Sequence, residues 1–217
     1  QPVPAGRHAG DAVTEHRPTM LYGETLSNPQ LRLMNIPAIA DIAHAAGARL
    51  VVDNTFATPF CTRPLALGAD IVVESATKFL AGHSDVIAGA VTVDDPALAE
   101  QIQQRLITFG GCLDPHAAFL AWRGMRTFAV RLAEACRAAE IIATKLAEEP
   151  DIEHVRYPGR LDHPDAGAVA DAVMPGPRGA MLSLVLAGGD ARALRVLRHL
   201  RVAVEAGIGL TWHKYVG

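Results

Sequence analysis

The sequence has no apolar run approaching the roughly 20 residues that a membrane-spanning helix needs, and its opening, Gln1 to His16, has no signal-peptide core. No membrane partner is expected. Cysteine is scarce: Cys61, Cys112 and Cys136 have neither the paired spacing of a zinc site nor the density of a disulfide framework, which fits a reducing cytoplasm. Basic excess is also missing. Lys plus Arg number 20 against 23 Asp plus Glu, a net charge of −3, so tracking a nucleic-acid backbone is excluded as an expectation. Neither a Gly-x-Gly-x-x-Gly nor a Walker sequence occurs, which disfavours nucleotide cofactors. There is no internal repeat, no low-complexity tract and no initiator methionine. The opening Gln1-Pro-Val-Pro is expected to reflect processing, an expression boundary or missing upstream sequence.

What is present is the composition of a globular protein: 217 residues, 50% hydrophobic, enough for one large domain or two unequal ones. Met20 to Glu24 reads as a short buried strand running into the Asn28-Pro29 loop. Ile36, Ile39, Ala40, Ile42 and Ala43 recur at helical spacing up to Gly47, a C-terminal stop. Arg49 to Asp53, Ile71 to Glu74 and Val86 to Val93 follow as strands, with connections long enough for parallel crossovers among the first three. Asp95 to Phe109 and Pro115 to Glu148 read as helical, the latter broken at Glu149-Pro150. Beyond it, Ile152 to Tyr157, Gly179 to Leu186 and a helix from Asp190 to Leu200 give an α+β pattern. The expectation is an α/β fold of the doubly wound class, with a large domain over residues 1–149 and a smaller α+β domain over 150–217.

Ligands of such sheets bind at the carboxyl ends of strands, and two strand ends here carry unusual polar residues. One closes with Val51-Val52-Asp53-Asn54-Thr55 and the next with Ser75-Ala76-Thr77-Lys78. An isolated Asp and Lys would most simply form a salt bridge. Together with hydroxyls they also match what pyridoxal phosphate needs: a lysine for its aldehyde, a carboxylate for its pyridine nitrogen and small donors for its phosphate. Asp53, Lys78, Ser75 and Thr77 are that set. Ser75 and Thr77 could also cap a following helix, and that role coexists with anion binding. Ser27-Asn28-Pro29 is ordinary turn chemistry as well as a candidate ligand segment.

The segments Gly23-Glu-Thr-Leu-Ser-Asn-Pro29, Val51-Val-Asp-Asn-Thr-Phe-Ala-Thr-Pro59, Gly68-Ala-Asp-Ile-Val-Val73 and Ser75-Ala-Thr-Lys-Phe-Leu-Ala-Gly-His-Ser-Asp85 closely resemble, in this order, the Cys/Met-metabolism family of pyridoxal-phosphate enzymes. Arg123-Gly-Met-Arg-Thr127, Val155-Arg-Tyr-Pro-Gly159, His163-Pro164 and Gly179-Ala-Met-Leu-Ser183 extend the likeness, which covers about Leu21 to Glu205. The family includes cystathionine γ-synthase, cystathionine γ-lyase, methionine γ-lyase and the homoserine-ester sulfhydrylases. The resemblance implies the type I aminotransferase fold. By it, Lys78 would hold the cofactor covalently and move protons, Asp53 would pair with the ring nitrogen, Asn28 would bond the ring hydroxyl, and Ser75 and Thr77 would hold the phosphate. It further implies a homo-oligomer, a dimer of dimers sharing its active sites.

Relative to the family, the chain is expected to be incomplete at both ends. A ring-stacking tyrosine, a Gly-Met phosphate loop and a Tyr-x-Arg segment are not found upstream. Val202 to Ala206 resembles the strand leading into a Ser-Leu-Gly-Gly substrate loop, yet Gly207 to Gly217 follows instead. A fragment, or pieces joined across gaps, would each explain this. His83-Ser84-Asp85 lacks the second glycine of a nucleophile elbow, so hydrolase chemistry is not expected. His44, His116, His154, His163 and His199 show no metal-ligand spacing and are expected to be solvated or hydrogen-bonded. The first-choice activity is carbon–sulfur γ-elimination, because His83-Ser84-Asp85 is closer to the γ-lyases and cystathionine γ-synthase than to the sulfhydrylases. γ-Replacement is the alternative, and a non-catalytic remnant the third.

Overall fold

The computed structural model describes residues 9–199. The expected strand at Val202 to Ala206, and everything after it, lies outside the described residues. After α1 (Ala9–His16) come β1 (Met20–Glu24), α2 (Ile36–Ala45), β2 (Arg49–Asp53), the short α3 (Thr58–Cys61), a 3-10 turn (Pro64–Leu67), β3 (Ile71–Ser75) and β4 (Gly89–Thr92). The four strands form one sheet in sequence order, β1 and β3 flanking β2 in parallel and β4 running antiparallel to β3.

Alternation decides which side chains reach the core. Leu50, Val52 and Val72 point to one face and are buried there, against Ile36, Ala40 and Ala43 of α2. That helix begins where Asn35 caps the Ala38 amide at 3.4 Å. Gly68 closes the 3-10 turn with φ +101, and a Cβ there would come within 2.9 Å of Ala40 Cβ, so turn and helix approach only because this position is glycine. The opposite face is covered at Val51 and open along the edge strand. Met20 and Tyr22 are 54% and 59% exposed, which corrects the expectation of a buried first strand: β1 is the sheet's edge.

The strand expected over Val86 to Val93 shrinks to β4 because Ala88 is drawn away from the ladder. Its carbonyl accepts the Thr77 amide at 3.1 Å, and its own amide donates to Thr77 Oγ1 at 2.9 Å. α4 (Pro96–Phe109) is capped by Asp95. The long helix expected from Pro115 is two helices, α5 (Pro115–Met125) and α6 (Phe128–Leu146), broken at Arg126 and Thr127. Just before the break, a Cβ on Gly124 would sit 2.1 Å from the carbonyl oxygen of Ala81, so the end of α5 abuts the chain that follows β3 only because this position is glycine.

Past Pro150, β5 (Ile152–Arg156) and β6 (Ser183–Leu186) pair antiparallel, accompanied by α7 (Ala168–Val173) and α8 (Gly189–His199). Ala139 and Ala143 of α6 pack on Val155 and Tyr157. α6 and α7 also reach the main core through Leu132, Cys136, Ala170 and Val173. Among the described residues no helix is long and apolar enough to cross a membrane.

Candidate active site

Parallel pairing brings the carboxyl ends of β1, β2 and β3 to one edge, with Glu24 in register with Asp53 and Asp53 with Val73. Tyr22, Asp53 and Ser75 therefore share the open face, two residues apart along their strands. Asp53 Oδ1 accepts the Thr55 amide at 2.9 Å, and Oδ2 accepts the Tyr22 hydroxyl at 3.0 Å. Partial desolvation of the hydroxyl at the sheet face, reinforced by that bond and by the charges of Asp53 and Glu24, pushes the Tyr22 phenol up to about 12, which keeps it a donor. Both carboxylate oxygens are thus anchored while lone pairs remain for a further donor.

Thr55 ties this strand end to the next, its Oγ1 accepting the Ser75 amide at 2.8 Å. The chain then turns. Lys78 N donates to Ser75 O at 3.0 Å, Ala81 N to Ala76 O at 2.9 Å and Gly82 N to Lys78 O at 2.8 Å. Lys78 is exposed in this turn, directly beyond the strand end that carries Ser75. The Thr77 side chain is engaged elsewhere: its Oγ1 donates to Ala88 O at 3.2 Å.

Asn28 lies one strand over, in the loop after β1, where its amide donates to Glu24 Oε2 at 3.1 Å. That loop is clamped from the far end of the chain. Asp165 takes a bidentate bond from Arg32 at 2.7 and 2.6 Å and the Leu33 amide at 2.8 Å. Burial acts to raise the Asp165 carboxyl, but Arg32 and the Leu33 amide outweigh it and hold it below the usual range. His163 Nε2 donates to Leu31 O at 3.0 Å while Nδ1 accepts the Asp165 amide at 3.2 Å, an arrangement that fixes one neutral tautomer. His163 is thus a hydrogen-bonded structural histidine, as its spacing suggests. His83 Nδ1 meets Ala81 O at 2.6 Å. Among the described residues, no group of acids, histidines and cysteines is placed to hold a metal.

The core face beneath the strand ends hides a polar hub that the sequence pattern does not disclose. Asn54, 1% exposed, accepts the Thr25 hydroxyl at 2.8 Å and donates to Thr62 O at 3.0 Å and to Glu74 Oε1 at 3.3 Å. Burial lifts the Glu74 carboxyl to about 7, against the Asn54 bond and with help from the Asp53 charge. A carboxyl whose folded value is raised carries no penalty below its unfolded value and an increasing one as pH climbs towards 7. Glu74→Gln, which keeps the acceptor for Asn54, is therefore expected to match the parent protein in stability at pH 4.5 and exceed it by roughly 1–3 kcal/mol at pH 8. Urea titrations at the two pH values measure this, and an equal effect at both contradicts it.

An open, mainly parallel sheet whose strand ends present an anchored carboxylate, hydroxyls and an exposed lysine defines an α/β protein of the kind that binds ligands at its carboxyl edge. The sequence profile described as Cys/Met metabolism PLP-dependent enzyme matches residues 6–209. The chain belongs to this family of pyridoxal phosphate-dependent enzymes. It is 42% identical over 190 residues to an L-methionine γ-lyase of Pseudomonas deceptionensis, covering 86% of this chain and 47% of that protein. It is 41% identical over 172 residues to a cystathionine β-lyase of Bacillus subtilis, covering 79% and 44%. A solved cystathionine γ-synthase of Xanthomonas oryzae pv. oryzae superposes with a TM-score of 0.84 at 37% identity, over 89% of this chain and 49% of that one. The chain spans about half the length of the curated relatives it matches. With these neighbours the type I fold read from the motifs is established.

Proposed function

We propose that the protein carrying this chain is a pyridoxal phosphate-dependent carbon–sulfur γ-lyase acting on cystathionine, methionine or a related sulfur amino acid. The observation that carries the reading is the placement of Asp53 at the end of β2, fixed through both oxygens, beside the parallel strand β3 whose following turn carries the exposed Lys78. The residues fit the cofactor: an exposed amine, a held carboxylate and the Ser75 hydroxyl lie at one sheet edge. Bound there, the cofactor supplies an electron sink for the substrate's α-carbon. Asp53 would keep the ring nitrogen protonated. Lys78 would take the α-proton and then the β-proton, and would return a proton to the sulfur that leaves the γ-carbon as a thiol. Ser75 would donate to the phosphate, Thr77 would join it once its O–H turned from Ala88 O, and Asn28 would bond the ring hydroxyl.

Incubating the whole protein with cystathionine, with methionine and with an acylhomoserine plus cysteine tests the assignment. A four-carbon keto acid, ammonia and a thiol are the expected products from the first two. Cystathionine formed from the third mixture would transfer the assignment to γ-replacement, a reading favoured by the 0.84 TM-score to a cystathionine γ-synthase. No turnover of any substrate would leave the non-catalytic reading.

The same reading gives a cytoplasmic enzyme, divided near Pro150 into a cofactor domain (residues 1–149) and a smaller α+β domain (150–217), that works as a homo-oligomer, a dimer of dimers. Ser75 and Thr77 are neutral donors, and a dianionic phosphate calls for the bidentate charge of an arginine, which a neighbouring subunit supplies. Exposed apolar side chains on α4 and α5, Ile107, Phe109, Phe119 and Trp122, offer the contact surface. Sedimentation across a dilution series is expected to show cofactor absorbance and turnover falling together as the oligomer dissociates. A monomer that keeps both refutes the shared site.

A further inference from the structure

We propose that Arg131 is a positioning residue for Lys78, setting the direction of the lysine by gripping the backbone directly behind it. The inference rests on the reading of Lys78 as the cofactor lysine. Arg131 stands in the first turn of α6, far from Lys78 in sequence, yet its Nη1 donates to Phe79 O at 3.0 Å and its Nη2 to Leu80 O at 3.2 Å. The same Nη2 donates to Gly124 O at 3.0 Å, and Nε to Thr127 Oγ1 at 3.0 Å. One planar guanidinium therefore joins three carbonyls and a hydroxyl, a geometry that a single ammonium point cannot reproduce.

Two of the three carbonyls it takes are those of the residues directly after Lys78. The turn is otherwise held by its own amides, Ala81 N to Ala76 O and Gly82 N to Lys78 O, and by the Thr77 to Ala88 pair. Arg131 adds the connection to the rest of the fold. Gly124 supplies the second half of the cradle: its missing Cβ lets α5 come against Ala81 O, and a Cβ on Gly82 would strike Arg131 Nη1 at 2.0 Å. Among the described residues Arg131 has no carboxylate partner, so its charge faces backbone carbonyls and the Thr127 hydroxyl, and burial lowers its guanidinium. A partly buried cation without an acid has a desolvation cost that these hydrogen bonds offset, and two of the carbonyls they order adjoin Lys78. They matter here because a catalytic amine displaced by about an ångström loses on the order of 100-fold in rate.

The test uses the holoenzyme and its apo form with three variants. Arg131→Met removes the grip, Arg131→Lys keeps the charge on a single nitrogen without the planar fork, and Arg137→Met, on the same helix but paired with exposed Glu134, serves as the control. For Arg131→Met the expected results are faster amide exchange in the apo-protein over residues 78–82, an altered cofactor absorption band, and kcat lower by about 10- to 100-fold with KM within about twofold. Arg131→Lys is expected to fall between, and added guanidinium ion to restore part of the Arg131→Met rate. Arg137→Met should match the parent enzyme. An unchanged absorption band and kcat in Arg131→Met overturn the proposal, as does a loss of activity explained wholly by a lower folded fraction. Should borohydride reduction place the pyridoxyl group on another lysine, the reading of Lys78 falls and this inference falls with it; Lys78 labelled in every variant with unchanged kcat is the failure specific to Arg131.

Discussion

Lys78→Ala is expected to lower kcat/KM by about 10³- to 10⁴-fold while leaving the fold intact. The side chain is exposed at the turn beyond β3, and the hydrogen bonds that shape this turn are made by backbone atoms of Ser75, Ala76, Lys78, Ala81 and Gly82, so truncation removes the amine without removing structure. Two functions disappear together, the covalent hold on the cofactor and the base that moves the α- and β-protons. Free cofactor should still bind, more weakly, through Asp53 and Ser75. Stopped-flow turnover combined with circular dichroism measures both halves of the expectation. Activity within tenfold of the parent enzyme would assign the proton transfers elsewhere.

Asp53→Ala is expected to cost about 10²- to 10³-fold in kcat, because on the proposed reading the carboxylate acts where charge develops in the transition state. Asp53→Asn separates charge from shape. It can retain the Thr55 amide contact and a bond with Tyr22, yet it cannot keep the pyridine nitrogen protonated, so its turnover should lie near that of Asp53→Ala. Replacing Glu148, an exposed acid past the end of α6, should leave kcat unchanged. Equal activity for Asp53→Ala and Glu148→Ala contradicts the role.

The strand-end residues were legible because period and punctuation are local. Asp53 and Ser75 close apolar runs, and the structure ends β2 and β3 at those residues. Helix α2 was legible for the same reason, its apolar spacing running between the Asn35 cap and Gly47. What failed was whatever depends on a neighbour. The exposure of β1 follows from its place at the edge of the sheet, and the close seat of α5 follows from Gly124 meeting Ala81 O. The same holds for the supports of the site. Tyr22 finds Asp53 only through parallel register, Asn54 finds Glu74 across two strands, and Arg131 finds Phe79 O from a helix remote in sequence. A triad-like string such as His83-Ser84-Asp85 errs in the opposite direction, since adjacency in sequence leaves His83 bound to a backbone carbonyl.

The most direct measurement is borohydride reduction of the holoenzyme, followed by proteolysis and mass mapping of the pyridoxyl group. The label is expected on the peptide containing Lys78, with the visible band bleached in proportion. A label on Lys145 or Lys214, or a bleached band with no modified Lys78, would contradict the placement of the cofactor at this sheet edge.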